Sequence, residues 1–460
     1  MFGRLILSFP RGLTSVDQIS SAVEAAKIQN TNLVPTRVRW HVVTLLAIMA
    51  GLTYIDRLNL GIAGKYVQEE FKFDSQTLGW IFGAFSLGYA VFHLPGGWLA
   101  DRFGSRPVLT SAILCFSIFT AVTAIAPSLP VLGLLGAAWS FAIVRFVMGL
   151  GEAAAIPVGN KMMAYWLGEK ERAFGTSIFL AGVGAGGVAA PVLVGWMIRQ
   201  WGWRACFLLL GAAGTVLALV IYKYVTNRPE EHPGVNVAEL TIIRSSSKIG
   251  LTPNHGVVVK NVPWVKVFSS PSMWGLMISH FCLVYPVYIF VTWFFIYLVR
   301  VRGVAMPKAS LWTSAPFIAN LFMVPLWGWL SDWAAERLGK RRGRRATVWL
   351  GVALSGGLLW SGSHTANNTL AIAQLAAAGG LNFAASSVLW TTCNDIAAKY
   401  SGSISGLMTT FGSLGGWLSP ILTAIIATQF GWTYALDFAA LVTLVSGFAW
   451  FLINADQAID

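Results

Sequence analysis

Apolar runs of roughly 20 residues follow one another from about residue 40 to the end of the chain. Each is long enough to cross about 30 Å of hydrocarbon as a helix. Twelve can be drawn, at about 40–62, 76–100, 108–127, 131–155, 174–197, 204–225, 270–298, 309–330, 347–362, 369–392, 404–428 and 432–453. The pattern predicts an all-α membrane protein with twelve transmembrane helices. Polar stretches frame the runs: an N-terminal segment 1–38, a connection 226–268 that holds the Pro/His/Gly stretch Arg228 to Gly234, and a tail 456–460. Between them lie two sets of six helices, 39–225 and 269–455.

The two sets read as copies. GGVAAPVLVGWMIRQWGW, Gly186 to Trp203, has the length of GGWLSPILTAIIATQFGW, Gly415 to Trp432, and its Gly-Gly, Pro, Gln and Gly-Trp positions recur at an offset of 229 (415 − 186). GGWLADRFGSR, Gly96 to Arg106, is echoed by WGWLSDWAAERLGKR, Trp327 to Arg341, which sets Asp332 opposite Asp101. Two pseudo-symmetric six-helix bundles follow. Carriers built this way bind solute near the midplane between the halves and expose it alternately by rocking one half against the other.

Composition agrees with this class. Only 11% of the residues are charged and the mean hydropathy is +0.65, whereas a soluble globule has about 25% charged residues. The net charge of +13 would suit nucleic acid, but its distribution argues otherwise. With alternate loops assigned to opposite sides, 23 Lys and Arg fall on one side and seven on the other. The positive-inside rule then puts both termini and the middle connection in the cytoplasm of a cell with this chain in its inner (plasma) membrane. The basic run Arg337 to Arg345 reads as an anchor facing anionic lipid. Residues 1–38 do not resemble a cleavable signal. Cys115, Cys206, Cys282 and Cys393 fall singly on or near the runs, without metal or redox spacing, and no cofactor is expected.

Against this apolar background four charges stand out. Arg57 and Arg145 lie inside spanning runs, with Asp56 and Glu152 within helical reach. A central charge costs about 2.5 to 3.5 kcal/mol on insertion scales, so such residues are candidates for a solute or proton path. Asp56 and Arg57 are neighbours, about 100° apart on a helix, and need not satisfy each other; Asn59 lies close to one turn from Asp56. Arg145 and Glu152 are seven apart and return to nearly the same face. Tyr54, and Tyr89 with His93 one turn on, are placed to donate hydrogen bonds to a solute. In the second half Tyr285, Tyr288, Trp293, Asn320, Asn382, Trp390 and Asn394 are further candidates.

The loop GGWLADRFGSRP resembles the signature loop of the major facilitator superfamily. Within that superfamily, YIDRLNLGIA at Tyr54 to Ala63, RFVMGLGEAAAIP at Arg145 to Pro157 and YWLGEKERAFGTS at Tyr165 to Ser177 resemble the anion:cation symporter family. The resemblance covers 39–453. It implies the major facilitator fold and proton-coupled movement of small organic anions such as sugar acids, aromatic acids or other carboxylates. With this resemblance, Arg57 or Arg145 is expected to grip the anion, Glu152 to carry the proton, and Asp56 to be a second proton site or to hold Arg57 in place; Tyr54, Tyr89 and His93 are expected around the anion, and Asp101, Arg102 and Arg106 resemble the superfamily's inner-gate cluster. Tyr89 matches the aromatic position of galactonate-type members. Two positions depart from sugar-acid members: AGVGAGG, Ala181 to Gly187, has no amide, and Ser413 stands where many have Asn. A less hydroxylated carboxylate, aliphatic or aromatic, gains from this.

Glu152 would then face two opposed pressures, burial favouring its neutral form and a neighbouring Arg145 its ionised form. A substrate carboxylate that occupies the arginine would let Glu152 take up a proton. The expected partners are an organic anion, protons and the bilayer, without nucleic acid, for a chain that works as a monomer. Other readings stay open: a structural ion-pair network, an exchanger or exporter, or a sensor in a carrier's shell. No HExxH, GxSxG or Walker sequence points to an enzyme. Gly182, Gly184 and Gly187 match GxGxxG formally, but inside an apolar helix they suit close packing rather than a dinucleotide.

Overall fold

The computed structural model describes residues 34–245, 263–397 and 400–456. Most of the N-terminal segment, the centre of the connection, the end of the tail and Lys399 lie outside the described residues. Among those described there is helix and no strand.

Twelve long helices run through the described residues. The first is Val38–Phe71, the second Ser75–Phe103, the third Ser105–Thr123; the fourth is Ala137–Glu152 continued by Ala155–Trp166. Glu169–Tyr224 is a single assigned segment, but Gly202 within it has φ 82° and ψ 165°, so it is two helices, the fifth and sixth. The seventh is Pro271–Thr292 continued by Phe294–Arg300, and the eighth Met306–Thr313 continued by Ala315–Leu338. Lys340–His364, Asn368–Ile396, Ser401–Gln429 and Trp432–Ala449 are the ninth to twelfth. Ten segments qualify as spans by length and apolarity; division at Gly202 adds one. The ninth helix makes twelve, and Lys340, Arg341, Arg342, Arg344 and Arg345 in its first turns explain why its apolar stretch is short. The helices outrun the apolar runs because a helix end that leaves hydrocarbon must still satisfy its backbone. At one such end Asp74 caps the second helix, accepting the Thr77 amide at 2.7 Å. The Thr77 side chain and amide hold the Asp74 carboxyl below its ordinary range.

The duplication is visible in the backbone. Gly202 and Gly431 (φ 102°) turn the chain between the fifth and sixth and the eleventh and twelfth helices, 229 residues apart. Gly104 (φ 91°) and Gly339 (φ 81°) do so before the third and ninth. With ψ near 155–165°, these are conformations that a side chain rarely permits.

Packing between helices also repeats. A Cβ at Gly182 would meet the Ala47 carbonyl and one at Gly186 the Gly51 carbonyl, so the first and fifth helices touch backbone to backbone. In the second copy, Gly415 lies on the Phe281 carbonyl. Gly149 lies on the Phe85 carbonyl between the fourth and second helices, and Gly380 lies on Ala319 between the tenth and eighth. Lipid tails are as apolar as leucine, so helices gain by such close approach rather than by burial. The formal GxGxxG is part of this: Gly184 receives Leu321 and Gly187 receives Phe317.

The halves meet mainly at the end away from Val38. There Arg300 donates to Gln68 at 2.7 Å and the Tyr66 hydroxyl points at the Met306 sulfur at 3.2 Å. Ser314 donates to the Val188 carbonyl at 2.7 Å, and Phe82 stacks edge-on to Trp293 with centroids 5.1 Å apart. Leu58, Val287, Val291 and Phe317 form a buried plug just inside. At the opposite end the central fourth and tenth helices expose polar residues, Asn160, Thr391 and Asn394. That end is the polar mouth of the helix bundle.

The middle connection is fastened to the first half. Glu239, fully buried, accepts from the Val38 amide at 3.3 Å, the Arg39 amide at 3.0 Å and the Arg39 guanidinium at 2.9 Å. Its charge thus sits at a helix N-terminus, where the peptide dipoles favour it. Arg39 also bonds Glu171 at 2.8 Å, tying in the fifth helix.

Gly149→Leu should drive a side chain into the Phe85 carbonyl. A loss of roughly 1–3 kcal/mol is expected, seen as a lower melting temperature of the purified protein, while Gly97→Leu, at a position with open space, should melt as wild type.

Candidate functional site

The site lies where the first, second and fourth helices meet. Pro157 has no N–H to give the Ala153 carbonyl four residues back, and the fourth helix is interrupted at 153–154. Glu152 therefore ends a helical segment at mid-depth. The contact of Gly149 with Phe85 brings that segment hard against the second helix.

Glu152 is fully buried and pairs with Arg57. Its Oε1 accepts both from Nε of Arg57 at 3.2 Å and from Nη2, while Oε2 has no partner. Aromatic rings cover the remaining faces of the guanidinium: Tyr54 at 5.2 Å, Phe85 at 5.3 Å and Tyr89 at 4.9 Å from its carbon. His93 continues the stack, its ring 5.4 Å from that of Tyr89. Tyr288 of the seventh helix lies within electrostatic range of Arg57.

Arg145, 3% exposed, has no carboxylate at bonding distance. Its guanidinium also lies over Phe85, at 4.9 Å, Nη1 meets the Met148 sulfur at 3.2 Å, and Nε is unpartnered. Asp56 points away from Arg57; Oδ1 accepts from Asn59 at 3.3 Å and Oδ2 is unpartnered. Glu152 thus has Arg57 rather than Arg145 as its direct partner. Three buried groups, Asp56, Arg145 and Glu152, each keep one unsatisfied polar atom, where natural structures usually leave few.

Phe85, in contact with both arginines, was not among the sequence candidates; its one signal was the spacing of four from Tyr89. Arg102 is exposed, over Trp98 at 5.5 Å and Phe103 at 5.6 Å. Arg106 donates to the Tyr222 carbonyl at 2.9 Å and covers that ring at 4.6 Å, joining the third helix to the end of the sixth. The Asp101 side chain lies outside the described residues.

The chain matches the family described as Major Facilitator Superfamily over residues 46–420. It belongs to that superfamily. This facilitator is therefore a multi-pass membrane transporter and not an enzyme. It is 29% identical to the probable galactarate/D-glucarate transporter of Escherichia coli strain K12 over 96% of this chain and 97% of that one. It is 30% identical to the probable sulfoacetate transporter of Cupriavidus necator, covering 92% and 96%, and 28% identical to a D-galactonate transporter of Escherichia coli O6:H1, covering 92% and 97%. Among solved structures it superposes on a bacterial homologue of the human lysosomal transporter Spinster with a TM-score of 0.73 at 17% identity, over 91% of this chain and 97% of that one.

In the second half of this facilitator, some of the polar candidates are turned into their own bundle. Asn382 reaches Ser355 and Thr443, each at 3.4 Å, between the ninth, tenth and twelfth helices. Trp293 donates to the Pro420 carbonyl at 3.0 Å, and Tyr285 packs on Phe438 of the twelfth helix. Trp390 meets His280 edge-on at 5.8 Å near the mouth.

Breaking the central pair from one side should cost about 3–5 kcal/mol, because Arg57→Ala strands Glu152 in the interior. The double variant Arg57→Ala/Glu152→Gln should regain much of that melting temperature, and a cycle showing simple additivity would contradict the pairing.

Proposed function

We propose that this chain is a proton-coupled symporter of a small organic anion. The observation that carries this reading is the Arg57–Glu152 pair: the carboxylate is fully buried, uses one oxygen on a single arginine and leaves the other unpartnered. A substrate carboxylate that takes the guanidinium, whose planar fork suits two parallel hydrogen bonds, removes the support for the Glu152 charge. Glu152 then binds a proton and the carrier closes over a neutralised site. Tyr54, Tyr89 and His93 flank the anion, and Arg145 supplies the second positive charge from beneath Phe85. Asp56 is a second proton site or holds the local helix polar network with Asn59. Asp101, Arg102 and Arg106 belong to the gate at the mouth.

The transport class rests on the superfamily, and the anionic cargo on the relatives, whose names speak of galactarate, D-glucarate, galactonate and sulfoacetate. The basic side of the chain faces the cytoplasm of a bacterial-type inner membrane on the positive-inside rule, so the polar mouth faces inward. A single copy contains every group that the mechanism uses.

With one proton per monoanion transport is electroneutral; a second proton would add about 2.3 kcal/mol of inward drive per 100 mV. In proteoliposomes under an imposed pH gradient, Glu152→Gln should lose accumulation against a gradient at least tenfold while substrate exchange persists. Active uptake at the wild-type level in that variant would overturn the coupling role.

A further inference from the structure

The duplication permits a comparison of the two halves position by position at the site. Paired contacts set the register: Gly51 lies on Gly186 as Phe281 lies on Gly415, and Gly149 packs on the second helix as Gly380 packs on the eighth. In that register Asp56 and Arg57 correspond to Pro286 and Val287, at an offset of 230 (281 − 51). Arg145 and Glu152 correspond to Ala376 and Phe383, at 231 (380 − 149). Each of these four buried charges has an apolar counterpart in the second half.

Two of those counterparts, Val287 and Phe383, pack in one cluster beside the first helix. Val287 belongs to the buried cluster with Leu58, the residue after Arg57, and Phe383 packs on the same cluster together with Tyr54. Phe317 and Phe383 are in ring contact, with centroids 6.1 Å apart. Phe383 and Tyr54 both keep part of their surface uncovered. Asn382, the amide next in sequence, is turned into its own bundle.

We infer that the second half forms an apolar, aromatic subsite for the body of the substrate, so that the cargo is a monocarboxylate with an aromatic or bulky apolar body rather than a polyhydroxy acid. The inference rests on the carrier reading above, in which Arg57 takes the carboxylate. A ring held there lies against Phe383, where aromatic pairs gain from offset or edge-on contact. A chain of hydroxyls would meet a wall with few partners and lose its hydrogen bonds to water. This separates the chain from relatives named for aldarates and galactonate, despite their length-wide similarity.

The test uses the purified full-length protein and two probes with one carboxylate each, phenylacetate and galactonate, with affinities read from ligand-dependent melting shifts. Phenylacetate should bind about tenfold more tightly than galactonate. Phe383→Ser should weaken phenylacetate binding about tenfold and collapse the ratio, and Phe383→Leu, which keeps an apolar surface and controls for folding, should preserve most of it. Galactonate binding as tightly as phenylacetate, or a ratio unmoved in a folded Phe383→Ser variant, overturns the inference while the carrier reading stands. If neither probe, nor galactarate, nor sulfoacetate binds or enters proteoliposomes, both fall.

Discussion

A charge inside hydrocarbon has to find its compensation within the protein, and this constraint organises the site. Water would stabilise an exposed guanidinium and carboxylate separately; at the centre of a helix bundle they stabilise each other or pay a desolvation cost of several kcal/mol each. Arg57 and Glu152 meet for that reason, with three rings closing around the guanidinium. The satisfaction is partial. Glu152 Oε2, Arg145 Nε and Asp56 Oδ2 remain without partners, and a partly satisfied polar cluster in a low-dielectric interior responds strongly to any ion or proton that enters.

The scaffold supplies the rigidity that such a site needs. Glycines let the fourth helix press on the second and the fifth on the first until backbones touch, and the interruption before Pro157 places Glu152 at the end of a helical segment. The seal between halves lies at the end away from Val38 and includes Arg300, Ser314 and Trp293, so the charged cluster sits just on the open side of an apolar plug. Rocking of the halves would open one end only by closing the other, and the plug of Leu58, Val287, Val291 and Phe317 is the surface that would have to part.

The two copies of the repeat have diverged in chemistry while keeping their geometry. Gly202 and Gly431 hold the same unusual backbone, yet the positions of Arg57 and Glu152 have become Val287 and Phe383. A backbone turn has few residue solutions, because only glycine tolerates it, whereas a cleft-facing position answers only to what it contacts. Symmetry of fold therefore coexists with a buried charged cluster that lies in one half.

The amino-acid sequence by itself determined the helical membrane class, the twelve runs, the internal repeat and the candidate charges. Hydrocarbon thickness demands long apolar stretches, and a buried charge is conspicuous among them. It could not assign partners. Spacing put Glu152 on the face of Arg145, and yet its direct partner is Arg57, 95 residues away; Phe85 lay hidden as one phenylalanine among 28; and Asn382 looked available until its amide was found inside its own bundle. Contacts between helices distant in sequence depend on how closely backbones approach and which way each stripe faces, and those are properties of the packed bundle that no helical period along one segment contains.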